Sequence, residues 1–261
     1  MSSYEEANLA TEETNAIFLD VTPTMLKQLK KKSCDPNIVI GEKLSSMGMH
    51  STLQEACISG NCKYVAKIIP LHNTDAYRPE NPCLNQAENI ENEFAIAQIM
   101  SDAGLGPKIY DICFTNDIAM MVMERYEGTL SELLSTLRDK RELDKLDDIL
   151  RQLKEIVGRM HDLGIFHRDI HTDNFLYKQV DDGRFHIVLS DYGLSLLSPS
   201  KNLVNAMKID LTGLDMIQEL ISKIKEGNYQ GTAENMKNDT FSFELGNYQF
   251  SRDGQPCDEW A

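Results

Sequence analysis

The chain is 261 residues long, 41 % hydrophobic, and carries a formal net charge of −15, a length that suits one large domain or two closely packed lobes around a sizeable core. Lys30-Lys31-Lys32 is its one basic run and reads as a solvated helix end, so no basic footprint points to nucleic acid. No apolar stretch resembles a secretion signal or approaches membrane-spanning length, and the expectation is a soluble, intracellular, cytoplasmic protein without a membrane partner.

Residues 1–36 read as an acidic, partly disordered arm: Glu5, Glu6, Glu12, Glu13 and Asp20 face no Lys or Arg in the first 20 positions. A short helix is expected over 24–32. Residues 37–123 form a strand-rich part. Leu53 to Ile58 and Cys62 to Ile69 flank Ser59-Gly60-Asn61, a hairpin signal. Residues 70–87, rich in Pro and Asn, read as a loop. A helix follows over 88–103, with Ile90, Phe94, Ala97 and Met100 on one face, ended by Gly104 and Gly106-Pro107. Strands are expected over 108–114 and 118–123. Cys34, Cys57, Cys62, Cys83, Cys113 and Cys257 make no C-x-x-C pair and read as free thiols in a reducing compartment.

Residues 124–128 form a polar connector, and the chain turns helical from about Ser131. Leu146, Ile149, Leu150, Leu153, Ile156, Val157 and Met160 make a sustained helical stripe that Gly164 stops. A sheet-rich part followed by a helical part predicts two lobes joined near 124–128.

Strands over 175–180 and 184–190 flank Asp181-Asp182-Gly183. A two-residue Asp182-Gly183 turn would pair Asn174 with Asp191, their Cβ atoms roughly 5 Å apart. An amide oxygen and a carboxylate that close suit a shared magnesium, which completes its shell from phosphates and water. Asp169, five residues before Asn174, could then orient an incoming hydroxyl and accept its proton.

His167-Arg168-Asp169 with Asn174 resembles the protein-kinase catalytic loop H-R-D-x-x-x-x-N, and Asp191-Tyr192-Gly193 resembles D-F-G with Tyr for Phe. The resemblance implies an α+β, bilobal protein-kinase-like fold with a β-rich N-lobe (37–123), a hinge (124–128) and a reduced helical C-lobe (129–261). It implies ATP and Mg2+ as cofactors, Asp169 as catalytic base, and Asn174 and Asp191 as metal ligands. Val65-Ala66-Lys67 resembles the strand lysine on the nucleotide phosphates, with Glu93 as its helix partner and Glu91 as the alternative. Met123 falls at the gatekeeper position, and Glu124 and Tyr126 fall in the adenine-contacting hinge. Asp210 resembles the helix aspartate that anchors the catalytic loop; a helix N-cap is the competing reading.

Three features depart from that pattern. Where kinases show G-x-G-x-x-G, this chain has Ser46, Gly48 and Ser51 to cover the phosphates. His171 stands two residues after Asp169, where conventional serine/threonine kinases usually place Lys. Asp210 follows Asp191 by 19 positions with no A-P-E between, too short for a long regulated activation segment. The expectation is a minimal, atypical kinase that phosphorylates Ser or Thr hydroxyls of a protein. A pseudokinase acting as an interaction module and a small-molecule kinase are the alternatives.

Overall fold

The computed structural model describes residues 33–45, 51–71, 86–180, 183–198 and 204–241. The helix expected over 24–32, most of the acidic arm, Ser46 and Gly48 lie outside the described residues.

Strands β1 (Ile38–Ser45), β2 (Thr52–Ile58), β3 (Asn61–Pro70), β4 (Ile109–Phe114) and β5 (Ile118–Glu124) form one antiparallel sheet in the order β1-β2-β3-β5-β4. Ser59 and Gly60 join β2 to β3 with positive φ at both positions, 51° and 81°. That is the backbone of a type I′ hairpin turn, whose twist matches the flanking strands. The expected helix is α1 (Gln86–Asp102). Its Ile90, Phe94, Ala97 and Met100 are all buried, and the Phe94 ring packs 5.7 Å from Phe114 on β4.

The second half holds α2 (Leu130–Lys140), α3 (Leu146–Asp162), α4 (Val204–Lys225) and α5 (Ala233–Thr240). A capping box starts α2, between Thr129 and Glu132. The α3 stripe is buried as its spacing predicted, apart from a partly buried Leu150. Each such fully buried Leu or Ile stabilises the fold by about 1.5–3 kcal/mol over exposure. One continuous apolar cluster runs from Ile69, Phe94 and Met121 through Leu153 and Ile156 to Ile217 and Ile221. Short strands complete the body: β6 (Gly128–Thr129), β8 (Phe175–Gln179) and β9 (Phe185–Leu189) form one sheet, and β7 (Ile165–Phe166) pairs with β10 (Leu196–Leu197).

Two expectations are corrected. The β8–β9 register differs by one residue: Phe175 pairs with Leu189 and Gln179 with Phe185. Three residues, not two, lie between Val180 and Arg184, which are joined by a hydrogen bond of 2.9 Å. Gly183 takes φ 81° there, the left-handed residue that such three-residue loops use. Asn174 therefore lies opposite Ser190, whose N–H donates to the Asn174 carbonyl at 2.8 Å. The cysteines are also corrected. The structure joins Cys34 to Cys113 and Cys57 to Cys62. The second pair sits astride the hairpin turn and the first is long-range, so a search for C-x-x-C spacing sees neither. Free thiols thus no longer argue for a reducing compartment; Cys83 and Cys257 lie outside the described residues. No helix among the described residues is long and apolar enough to cross a membrane.

Candidate active site

Lys67 lies mid-sheet on β3, paired with Leu53 of β2 and Met121 of β5. Its Nζ sits 2.6 Å from Glu93 Oε1 on α1 and 2.8 Å from Asp191 Oδ1. Burial alone would lower the lysine's pKa, but the Glu93 and Asp191 carboxylates outweigh it and raise it, so Lys67 stays charged. Burial lifts the Glu93 carboxyl even so: Lys67 opposes the rise, and the Asp191 charge adds to it. Lys67 holds Asp191 below the ordinary carboxylate value against the opposing effect of burial. The structure thus brings Lys67 to Glu93; the side chain of the alternative, Glu91, lies outside the described set.

A cavity of about 370 Å³ opens beside this pair, walled by Val65, Met123, Tyr126, Leu176, Lys67 and Asp191 among others. Its apolar walls with a few convergent polar groups are those of a small-molecule site. Ser51 directly precedes β2. The connector forms the rim. Its Glu124 carboxylate pairs with Lys178 at 2.6 Å, and Lys178 also lies over the Tyr126 ring. The amides of Glu124, Arg125 and Glu127 donate to the carbonyls of Lys108, Lys63 and Tyr177.

The loop 167–174 is held from several sides. Asp210, wholly buried in the second turn of α4, accepts the backbone N–H of His167 at 2.9 Å and of Arg168 at 2.6 Å. His161 Nε2 lies 2.9 Å from the same carboxylate. The N-cap reading of Asp210 is therefore wrong: it anchors the loop from within the helix. This matters because Arg168 takes φ 65°, a strained conformation for a long side chain that needs surrounding contacts to persist. His167 is fully buried, with Nε2 2.9 Å from the Ser190 carbonyl.

Asn174 Nδ2 donates to the Asp169 carbonyl at 2.8 Å and to Asp169 Oδ2 at 3.0 Å. With both amide hydrogens used, the Asn174 side-chain oxygen is left for another partner. His171 Nδ1 accepts the Asp173 N–H at 3.2 Å, which puts the ring proton on Nε2. That nitrogen lies 3.5 Å from Asp169 Oδ2. Burial would raise the Asp169 carboxyl, but the His171 and Asn174 contacts keep it below the ordinary value. Both contacts fall on Oδ2, so Oδ1 carries no protein partner among the described residues.

Sequence reasoning missed what surrounds Asp173 and Thr172. Ser131 of α2 hydrogen-bonds the Asp173 carboxylate, and α5 reaches the same turn. These contacts join residues far apart in the chain, and no local pattern announces them.

A five-stranded antiparallel sheet with one helix, set over a helical body, is the α+β bilobal architecture of protein-kinase-like proteins. A family model for the protein kinase domain matches residues 46–233, and the chain belongs to that family. Among curated relatives, it is 28 % identical over 182 residues to Calcium-dependent protein kinase 7 of Oryza sativa subsp. japonica, covering 67 % of this chain and 31 % of that protein. It is 31 % identical over 121 residues to Calcium/calmodulin-dependent protein kinase type 1 of Caenorhabditis elegans, covering 46 % and 34 %. A probable serine/threonine-protein kinase of Saccharomyces cerevisiae is 30 % identical over 167 residues, covering 59 % and 41 %. The chain thus spans about a third of the length of the first two of these relatives and under half of the third.

Proposed function

We propose that this protein is a minimal serine/threonine protein kinase that transfers the γ-phosphate of ATP with magnesium. The observation that carries the reading is the Asp169 carboxylate, with Oδ2 fixed by Asn174 and His171 and Oδ1 left open. A serine or threonine hydroxyl of a protein substrate would donate to Oδ1, which orients it and accepts its proton as its oxygen bonds the γ-phosphorus and the bond from that phosphorus to ADP breaks, with ADP leaving. The depressed pKa of Asp169 keeps that oxygen ionised at neutral pH.

The other residues take roles in line with the family motif. Lys67, held between Glu93 and Asp191, would lie on the α- and β-phosphates. Ser46, Gly48 and Ser51 would cover them. The Tyr126 N–H would donate to the adenine ring, with Glu124 and Met123 beside it. No group of three or more His, Cys, Asp or Glu side chains among the described residues is placed to hold a metal. Magnesium binds through few protein oxygens and takes the rest from phosphate and water. The free Asn174 oxygen and the Asp191 carboxylate fit this donor set. When bound, magnesium would neutralise phosphate charge and orient the leaving group.

Incubation with γ-labelled ATP, magnesium and protein acceptors tests the reading. The wild type should label protein. Asp169→Asn should lose transfer by about 10²-fold or more while still showing the thermal shift that MgATP gives the wild type. Undiminished transfer by Asp169→Asn would sink the mechanism. ATP turnover with a metabolite panel but no protein labelling would favour a small-molecule kinase.

A further inference from the structure

The loop between Asp169 and Asn174 has a second support, far from Asp210 in the chain. Three consecutive residues of it each meet the last turn of α5 or the residue that caps it. The His171 ring packs edge-on against Phe241, centroids 5.5 Å apart. The Thr172 N–H donates to Thr240 Oγ1 at 3.2 Å, and the two threonine hydroxyls lie 3.1 Å apart. The Asp173 carboxylate lies 3.3 Å from Lys237 Nζ.

These contacts differ in weight. Lys237 is 46 % exposed at its side chain, so water and salt screen its pair with Asp173. Phe241 is itself 38 % exposed. Thr172 and Thr240, by contrast, are both fully buried. Thr240 gives its hydroxyl hydrogen to the Met236 carbonyl at 3.0 Å, which leaves its oxygen to accept from Thr172. A buried amide denied that oxygen has no water to turn to.

The turn around Thr172 would pass a displacement on in both directions. Residues 172–174 form one turn of 3-10 helix. The Asn174 N–H donates to the His171 carbonyl at 3.1 Å. His171 contacts Asp169, and Asn174 donates to it twice. Movement at Thr172 therefore shifts the proposed base and the proposed metal ligand together.

We infer that Thr240 is a positioning residue for phosphotransfer, acting through Thr172 to fix Asp169 and Asn174 relative to one another. This rests on the proposed kinase function. The last turn of α5 belongs to the catalytic apparatus, although it contacts neither the nucleotide cavity nor Asp169.

The test compares full-length wild type, Thr240→Val and Thr240→Ser. Valine keeps the shape and removes the hydroxyl; serine keeps the hydroxyl. Kinetics should show kcat for Thr240→Val reduced about ten-fold with the ATP KM within about two-fold, and Thr240→Ser close to wild type. Hydrogen exchange of the peptide spanning the loop should speed up in Thr240→Val and not in Thr240→Ser. An unchanged kcat in folded Thr240→Val overturns the inference, as does Thr240→Ser being equally impaired, which would mark simple packing. Should Thr240→Val not fold, Thr172→Val removes only the hydroxyl pair and should lower kcat by a smaller factor; no change there overturns the inference too. If the wild type transfers no phosphate, the kinase reading fails instead. Loop exchange then decides the contact alone, and identical exchange in wild type and Thr240→Val rejects it.

Discussion

Tyr192 stands where the family motif has Phe, and its hydroxyl must find a partner because the side chain is buried. It donates to the Leu189 carbonyl at 2.6 Å. Room for that oxygen comes from Gly106: a Cβ there would lie 2.7 Å from it. Tyr192→Phe removes one buried hydrogen bond and leaves a carbonyl short of a donor, so it should lower unfolding free energy by about 1 kcal/mol in a urea titration. No loss would mean that the hydroxyl is not bonded as described. Individual residues were the most legible scale of this site. Lys67, Glu93, Asp169 and Asp210 have characteristic neighbours along the chain, and the structure places them within reach of the partners expected for Lys67 and the loop. The Asn174–Asp191 pairing was less legible, because whether a hairpin loop closes over two or three residues depends on which residue adopts positive φ. Asp182-Gly183 invites either choice. Asp191 itself takes φ 62°, so its side chain leaves the direction a continued strand would give it.

At the scale of elements, α4 shows how a helix can set a loop. Asp210 pulls on the loop through two backbone N–H groups. One turn later Gly213 lets it come close: a Cβ there would collide with the Ile170 carbonyl oxygen and lie 2.8 Å from Ile170 Cβ. Two effects of Gly213→Ala oppose each other. Alanine favours a helix over glycine by about 1 kcal/mol, and overpacking costs about 1–3 kcal/mol. The obstacle is backbone, two residues beyond the Arg168 N–H that Asp210 holds, so the clash should win. Gly213→Ala should therefore unfold at a lower temperature than wild type, and a raised melting temperature would show that the loop can retreat. The α3 stripe was legible but for the partly buried Leu150, since a long run with a strict period has one reading. β1 was not singled out: Ile38-Val39-Ile40 is a short apolar run broken by Gly41, and its strand character comes from pairing with β2. α5 was the least legible. Its capping box at Thr232 and Asn235 marks a start, but its role lies in long-range contacts with Thr172 and Asp173.

For the whole molecule, the sheet and the helical body meet around one apolar cluster, and the candidate site lies where Lys67 from the first reaches Asp191 in the second. The bond between Cys34 and Cys113 ties the residues before β1 to β4 across 79 positions, so the start of the described body is fixed covalently as well as by pairing. The central claim is phosphotransfer to a hydroxyl through Asp169. Mass spectrometry of a serine- and threonine-containing protein acceptor after incubation with MgATP tests it most directly. The account predicts phosphoserine or phosphothreonine with wild type and none above background with Asp169→Asn. Equal phosphorylation by both, or none by a wild type that binds MgATP, would contradict it.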